Sequence, residues 1–314
     1  MEKSQRKIKH LVLSGGAIWG LSMIGILLEA IHTDFLNMNE IETIHATSVG
    51  SMIAFAFSLK IDPLLIRNYF IKRPWESLFK KNRFSILDVY NEKGIIHQGF
   101  FEKIFTPLFE SVELPLHITM KELYDYNGID IHIYTTLLYQ FQLVDISYKT
   151  HPEWTVIQAL HASCSIPLIF TPCMKDDHCY IDGGFLLNYP ITKCVYENPE
   201  EVLGISIGNM SQTEQEQPVR PSTNIFDFIF YIFFNIIKHY TIFQNDHSQS
   251  FPYQVIVYNT TNSYNYLFEV IYQQKEREDL VKLGNQTFQT FYKRWFADDT
   301  EPTHCLQTES NSAL

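Results

Sequence analysis

The chain has 314 residues, 46% of them apolar and 15% aromatic, with a formal net charge of −11. That length and composition supply a sizeable core. The acidic balance argues against a nucleic-acid partner, which needs a basic face, and gives no general attraction to anionic membranes, so any lipid contact has to be hydrophobic or locally basic.

In chain order, residues 1 to 9 are polar and basic, and glycines break the apolar run that follows, which is not the pattern of a secretory signal. Residues 9 to 14 read as a strand, 14 to 20 as a glycine turn, "SGGAIWG", and 20 to 32 as a helix. A second strand over 41 to 47 runs into Ser48 and turns directly into the helical run "SMIAFAFSLK". Residues 63 to 72 read as a helix and 73 to 99 as a mixed connection. Residues 129 to 138 and 142 to 148 form a strand pair, and "EWTVIQALHASCSIPLIF" reads as a helix ended near Pro167. Short strands follow at 179 to 182 and 202 to 207, then a polar loop over 211 to 223. The apolar stretch 225 to 243 carries Asp227, Asn235, Lys238 and His239, which makes it a poor membrane span and a buried amphipathic helix by expectation, with a surface that dips into lipid as the alternative. A strand at 253 to 258 and a helix at 275 to 296 close the series, and 297 to 314 form a polar tail expected to be disordered. Strands alternating with helices favour a mostly parallel or mixed sheet covered on both faces, in one domain. Cys164, Cys173, Cys179, Cys194 and Cys305 are odd in number and fit no zinc spacing, so the expectation is a reduced, intracellular protein, cytoplasmic or peripheral at a membrane.

Three features bear on chemistry. The glycine turn has the separation of a phosphate loop between Gly15 and Gly20, but Leu21 stands where the loop needs lysine. Gly15, Gly16 and Gly20 also miss the dinucleotide pattern G-x-G-x-x-G. In "HATSVGSM", Ser48 stands between a strand and a helix, with Ala46 two residues before it and Gly50 two after, the small neighbours that a nucleophile elbow requires. Asp182 ends a strand and is followed by Gly183 and Gly184, a pattern shared by a reactive strand end and an ordinary Asp-Gly turn. Among the histidines, His45 and His161 sit in apolar runs and read as packed or surface residues, and His178 is kept as a candidate base.

Taken together, "LVLSGGAIWGLSMIG", "ATSVGS", "ASCSIPLIF" and "YIDGGFLLNYP" resemble, in order and spacing, the patatin-like phospholipase family over residues 8 to 296. The resemblance implies a three-layer α/β/α fold. It implies an acyl hydrolase acting on phospholipids or lysophospholipids, with Ser48 as nucleophile, Asp182 as general base and no metal or other cofactor. Physics accommodates this: a glycine-rich turn at a helix start aims several N–H groups at one point, which suits Gly15, Gly16 and Ala17 to an oxyanion hole. This chain departs from the family pattern at Ala46, Ala17 and Trp19, where the family has glycine, glycine and a basic residue. Loss of the basic residue bears on head-group recognition, and an aromatic at position 19 could instead rest on an acyl chain or a membrane. A catalytically silent lipid-binding or scaffold protein of the same fold is therefore the alternative.

Overall fold

Leu11 and Leu13 face one side of the first strand and Val12 the other, and all three are buried. Apolar residues on both faces mark a strand inside a sheet covered on two sides. A computed structural model of the chain describes residues 7–79, 90–194, 197–209, 219–225, 227–229, 231–233, 235–236, 251–259 and 264–296. Its strands are β1 (His10–Leu13), β2 (Thr43–Thr47), β3 (Gly94–Ile96), β4 (Asp130–Leu137), β5 (Gln142–Ile146), β6 (Leu168–Phe170), β7 (Cys173–Lys175), β8 (His178–Asp182), β9 (Val202–Asn209) and β10 (Tyr253–Asn259). The main sheet runs β10-β9-β1-β2-β4-β8-β7, with β5 also on β4, and β3 pairs with β6 apart from it. From β10 to β4 the pairs are parallel; β5 and β8 join β4 antiparallel.

Helices flank this sheet in a three-layer α/β/α arrangement. They are α1 (Leu21–His32), α2 (Val49–Ser58), α3 (Pro63–Lys72), α4 (Glu76–Phe79), α5 (Gly99–Ser111), α6 (Met120–Asn127), α7 (Val156–Cys164), α8 (Tyr264–Tyr272) and α9 (Gln274–Phe296), with a further helical stretch among the described positions of 225–236. Their starts follow local chemistry. Asp62 caps α3 ahead of Pro63, and capping boxes of Thr119 with Glu122 and Thr155 with Gln158 start α6 and α7. Leu11 and Leu13 share the main core with Met23, Ile26 and Leu27 of α1, while Val12 packs with Tyr189, Ile191 and Cys194 on the other face.

The helix expected to run to Pro167 stops at Cys164, and residues 168–170 form β6 instead. Ser165 leaves helical geometry with ψ at 70°, which frees the following apolar triplet to pair with β3. The expected burial of the 225 to 243 stretch is corrected in part. Its described positions from 225 to 236 are helical, but Ile225, Phe228, Tyr231 and Ile232 are exposed. The stretch is apolar nearly all round, so its sequence does not say which side faces inward. The rest of it, most of the polar loop at 211 to 223 and the tail at 297 to 314 lie outside the described residues. Among the described residues, no helix is long and apolar enough to cross a membrane.

Candidate active site

Strand register builds the site. β2 and β5 both pair with Ile133 and Tyr134 of β4, so they occupy opposite edges of it. β5 and β8 both pair with Thr135 to Leu137, so they too lie on opposite edges. β2 and β8 therefore share one edge and meet end to end: Thr47 stands opposite Tyr134 and Asp182 opposite Thr135. The residue after Thr47 is Ser48, and its Oγ donates to Asp182 Oδ2 at 2.6 Å.

Ser48 adopts φ 53° and ψ −130°, a strained conformation that lifts its side chain out of the strand-to-helix turn. Gly50 is the steric condition for that turn, because a Cβ there would lie 2.5 Å from Ser14 O and 2.6 Å from Leu13 O. Both are backbone atoms, one at the end of β1 and one just after it. Gly50→Ala is expected to destabilise the protein by about 1–3 kcal/mol, read as a lowered urea midpoint. An unchanged midpoint would contradict the packing described. Ala46 is fully buried within β2, so the smallest side chain is accommodated two residues before Ser48.

The elbow is tied to its surroundings by groups whose roles the sequence did not reveal. Ser48 N–H donates to Ser163 Oγ at 2.8 Å, and Ser163 Oγ donates to Tyr134 O at 2.6 Å. Asp182 N–H donates to Ser165 O at 3.0 Å. The block "ASCSIP" thus positions both partners through its serines. Its Cys164 lies among the groups around Ser48, and burial holds this thiol well above its usual range.

Asp182 is fully buried. Gly184 N–H donates to its Oδ1 at 2.7 Å, leaving Oδ2 for Ser48. Burial pushes the carboxyl up to about 7, against the opposing effect of the hydrogen bonds from Ser48 and Gly184. The three histidines weighed from the sequence do not supply a base here. His178 lies at the far end of β8 from Asp182, exposed and bonded to Asp176 O, which corrects its candidacy. His45 is bonded to Tyr134 Oη and His161 to Thr171 O, and burial lowers them to about 3 and about 4.

The glycine turn closes over the serine. Gly15 N–H is engaged with Asn188 O at 2.9 Å. A Cβ at Gly15 would lie 2.4 Å from Asn188 Oδ1 and 3.2 Å from Ser48 Cβ, so its small size sets the close approach of the loop to Ser48. Among the described residues, the N–H groups of Gly16 and Ala17 meet no protein acceptor. Ala17 takes φ 47°, a left-handed value that costs an alanine about 1 kcal/mol. Trp19 is 4% exposed and packs on Tyr266 with ring centroids 5.6 Å apart, so it belongs to the core and the idea that it rests on a membrane is corrected.

Ser48 and Ala17 open onto a cavity of about 180 Å³. Its walls come from α2 through Met52 and Ile53, from α5 through Phe100 and Ile104, and from α8 through Leu267 and Ile271. They are apolar except around Ser48 and at Arg277. The Arg277 guanidinium donates to the carbonyls of Ile71, Val270, Ile271 and Arg73, at the ends of helices α3 and α8. Such a site can receive an aliphatic chain and present one polarised carbonyl to Ser48.

The family model described as patatin-like phospholipase matches residues 11–195. An uncharacterized protein of Acanthamoeba polyphaga mimivirus is 27% identical over 228 residues, covering 72% of this chain and 75% of that protein. A protein of Invertebrate iridescent virus 6, named as a probable lipid hydrolase, is 29% identical over 185 residues, covering 58% of this chain and 62% of that protein. Among solved structures, VipD from Legionella pneumophila is 14% identical with a TM-score of 0.53, covering 92% of this chain and 67% of VipD, a likeness of fold.

Proposed function

This chain belongs to the patatin-like phospholipase family, and from that premise we propose that it is a metal-independent serine esterase that releases fatty acids from phospholipids or lysophospholipids. The observation that carries the reading is the 2.6 Å hydrogen bond from Ser48 Oγ to a fully buried Asp182. The name of the iridescent-virus relative as a probable lipid hydrolase points the same way.

In the proposed reaction the acyl chain lies in the apolar cavity with its ester carbonyl at Ser48. Ser48 Oγ attacks the carbonyl carbon as its proton passes to Asp182. A carboxyl poised near 7 takes that proton far better than a free aspartate titrating near 3.9. The carbonyl oxygen gains the negative charge and is met by the N–H groups of Gly16 and Ala17, aided by the positive end of α2. Each such donor contributes about 3 kcal/mol to the barrier reduction. Gly15 acts here as a spacer, since its own N–H is engaged. Collapse breaks the ester bond, and Asp182 returns the proton to the departing oxygen. Water then enters and attacks the acyl carbonyl as its proton passes to Asp182; the acyl–Oγ bond breaks, Asp182 hands that proton to Ser48 Oγ, and the fatty acid leaves with both groups restored.

These steps use no metal. Fatty acid release from phosphatidylcholine and lysophosphatidylcholine is therefore expected to persist when calcium is chelated. Absence of release from both lipids, with and without calcium, would overturn the hydrolase reading.

A further inference from the structure

Across its described positions, 225–236 is a helix started by Asn224, whose Oδ1 accepts from Asp227 N–H at 2.9 Å. Phe233 is 4% exposed and clusters with Ile166 and Ile169, and its ring lies 4.8 Å from that of Phe185. Ile166 and Ile169 also line the cavity that opens from Ser48. The inner side of this helix therefore packs on the outside of the cavity wall.

Its other side is apolar and open. Ile225 is 57% exposed, and Phe228, Tyr231 and Ile232 are 39% each. At 100° per residue these positions and Asn235 fall within an arc of about 120°. Asn235 is the polar member of the stripe, and its amide donates to Tyr231 O at 2.7 Å, within the helix itself.

The occupant follows from size and charge. Among the described residues, four side chains exposed to this degree present roughly 300 Å², far below the ~800 Å² per partner of a stable protein interface. A second copy of the chain is thus poorly served. An interfacial helix needs only enough apolar surface to sink about 5–10 Å into the head-group boundary. The stripe carries no charge and the chain has a net charge of −11, so nothing here favours an anionic bilayer. We propose that the outer face of residues 225–236 docks on zwitterionic phospholipid surface and holds it against the wall of the Ser48 cavity. The docking stands on the helix alone; its coupling to catalysis rests on the hydrolase reading.

Flotation with phosphatidylcholine vesicles tests it, comparing the full chain with the double variant Phe228→Glu and Ile232→Glu. The variant is expected to lose about tenfold or more in vesicle partition. It should also hydrolyse a soluble short-chain ester within about twofold of the parent rate, since neither residue lines the cavity. Phosphatidylserine in the vesicles should not tighten binding of the parent. Phe228→Trp supplies a second reading that needs no disruptive charge: its emission should shift to the blue on adding phosphatidylcholine vesicles. Equal flotation of parent and double variant, or no blue shift, would overturn the proposal. So would a dimer of the parent that the double variant dissociates while flotation stays unchanged. Flotation needs no turnover, so vesicle binding without ester hydrolysis would defeat the hydrolase reading and leave the docking surface standing.

Discussion

Ser48→Ala is expected to lower kcat for fatty acid release by at least about 10⁴-fold, with the protein still folded. The substitution removes one oxygen, the atom that carries the acyl group in the proposed reaction, and leaves the cavity and the glycine turn intact. Whatever rate survives comes from substrate binding and oxyanion contacts acting on water. Alanine suits the site sterically, since it is the serine side chain less its hydroxyl, and the N–H of residue 48 keeps its bond to Ser163 Oγ. The thermal midpoint should therefore move by only a few degrees. Equal acyl release by parent and variant would mean that Ser48 is not the nucleophile, and no release by either would favour the silent alternative.

Asp182→Asn is expected to cost a similar factor in kcat and to make the protein more stable at alkaline pH. The amide keeps the shape, but its single oxygen accepts from only one of Ser48 Oγ and Gly184 N–H, and it cannot take the proton. The stability effect follows from linkage. In the unfolded chain the carboxyl titrates near 3.9; in the folded protein burial pushes it to about 7. Between those values the folded state holds a proton that the unfolded chain has released. Stability of the parent therefore falls as pH rises from about 4 to about 7 and stays low above that. Three pKa units correspond to about 4 kcal/mol, an upper bound on the gain from the amide at pH ~8, and the gain should vanish near pH ~4. Urea midpoints at the two pH values measure it. The parent's kcat/KM should rise about tenfold per pH unit up to about 7 as the base ionises. An acid-side profile that is flat down to pH ~5, or a variant no more stable at pH ~8 than at pH ~4, would contradict the buried-base account.

The parts of the site that were legible in the sequence are those fixed by short-range sterics. Gly50 beside Ser48, and Gly183 after Asp182, are demanded by backbone atoms close by, Ser14 O and Tyr134 O respectively. Such demands leave a mark at fixed spacing. The supports of the site were not legible, because they depend on strand register. Ser163 reaches Ser48 only because α7 lies over β4, and Asn188 reaches Gly15 only because its segment crosses β1. Trp19 misled for the same reason. Its neighbours in sequence belong to the glycine turn, but its burial is decided by Tyr266 in α8, far along the chain. The parallel core strands were readable from their apolar runs, whereas the triplets β3 and β6 are too short to carry a period and exist because they pair with each other.

The pairing of Ser48 with Asp182 is tested most directly by reaction with a fluorophosphonate ester, followed by peptide mass mapping. The account predicts one phosphonyl adduct, on Ser48, that forms about 100-fold or more slowly in Asp182→Asn. An adduct on another residue, or equal labelling rates in the parent and Asp182→Asn, would contradict it.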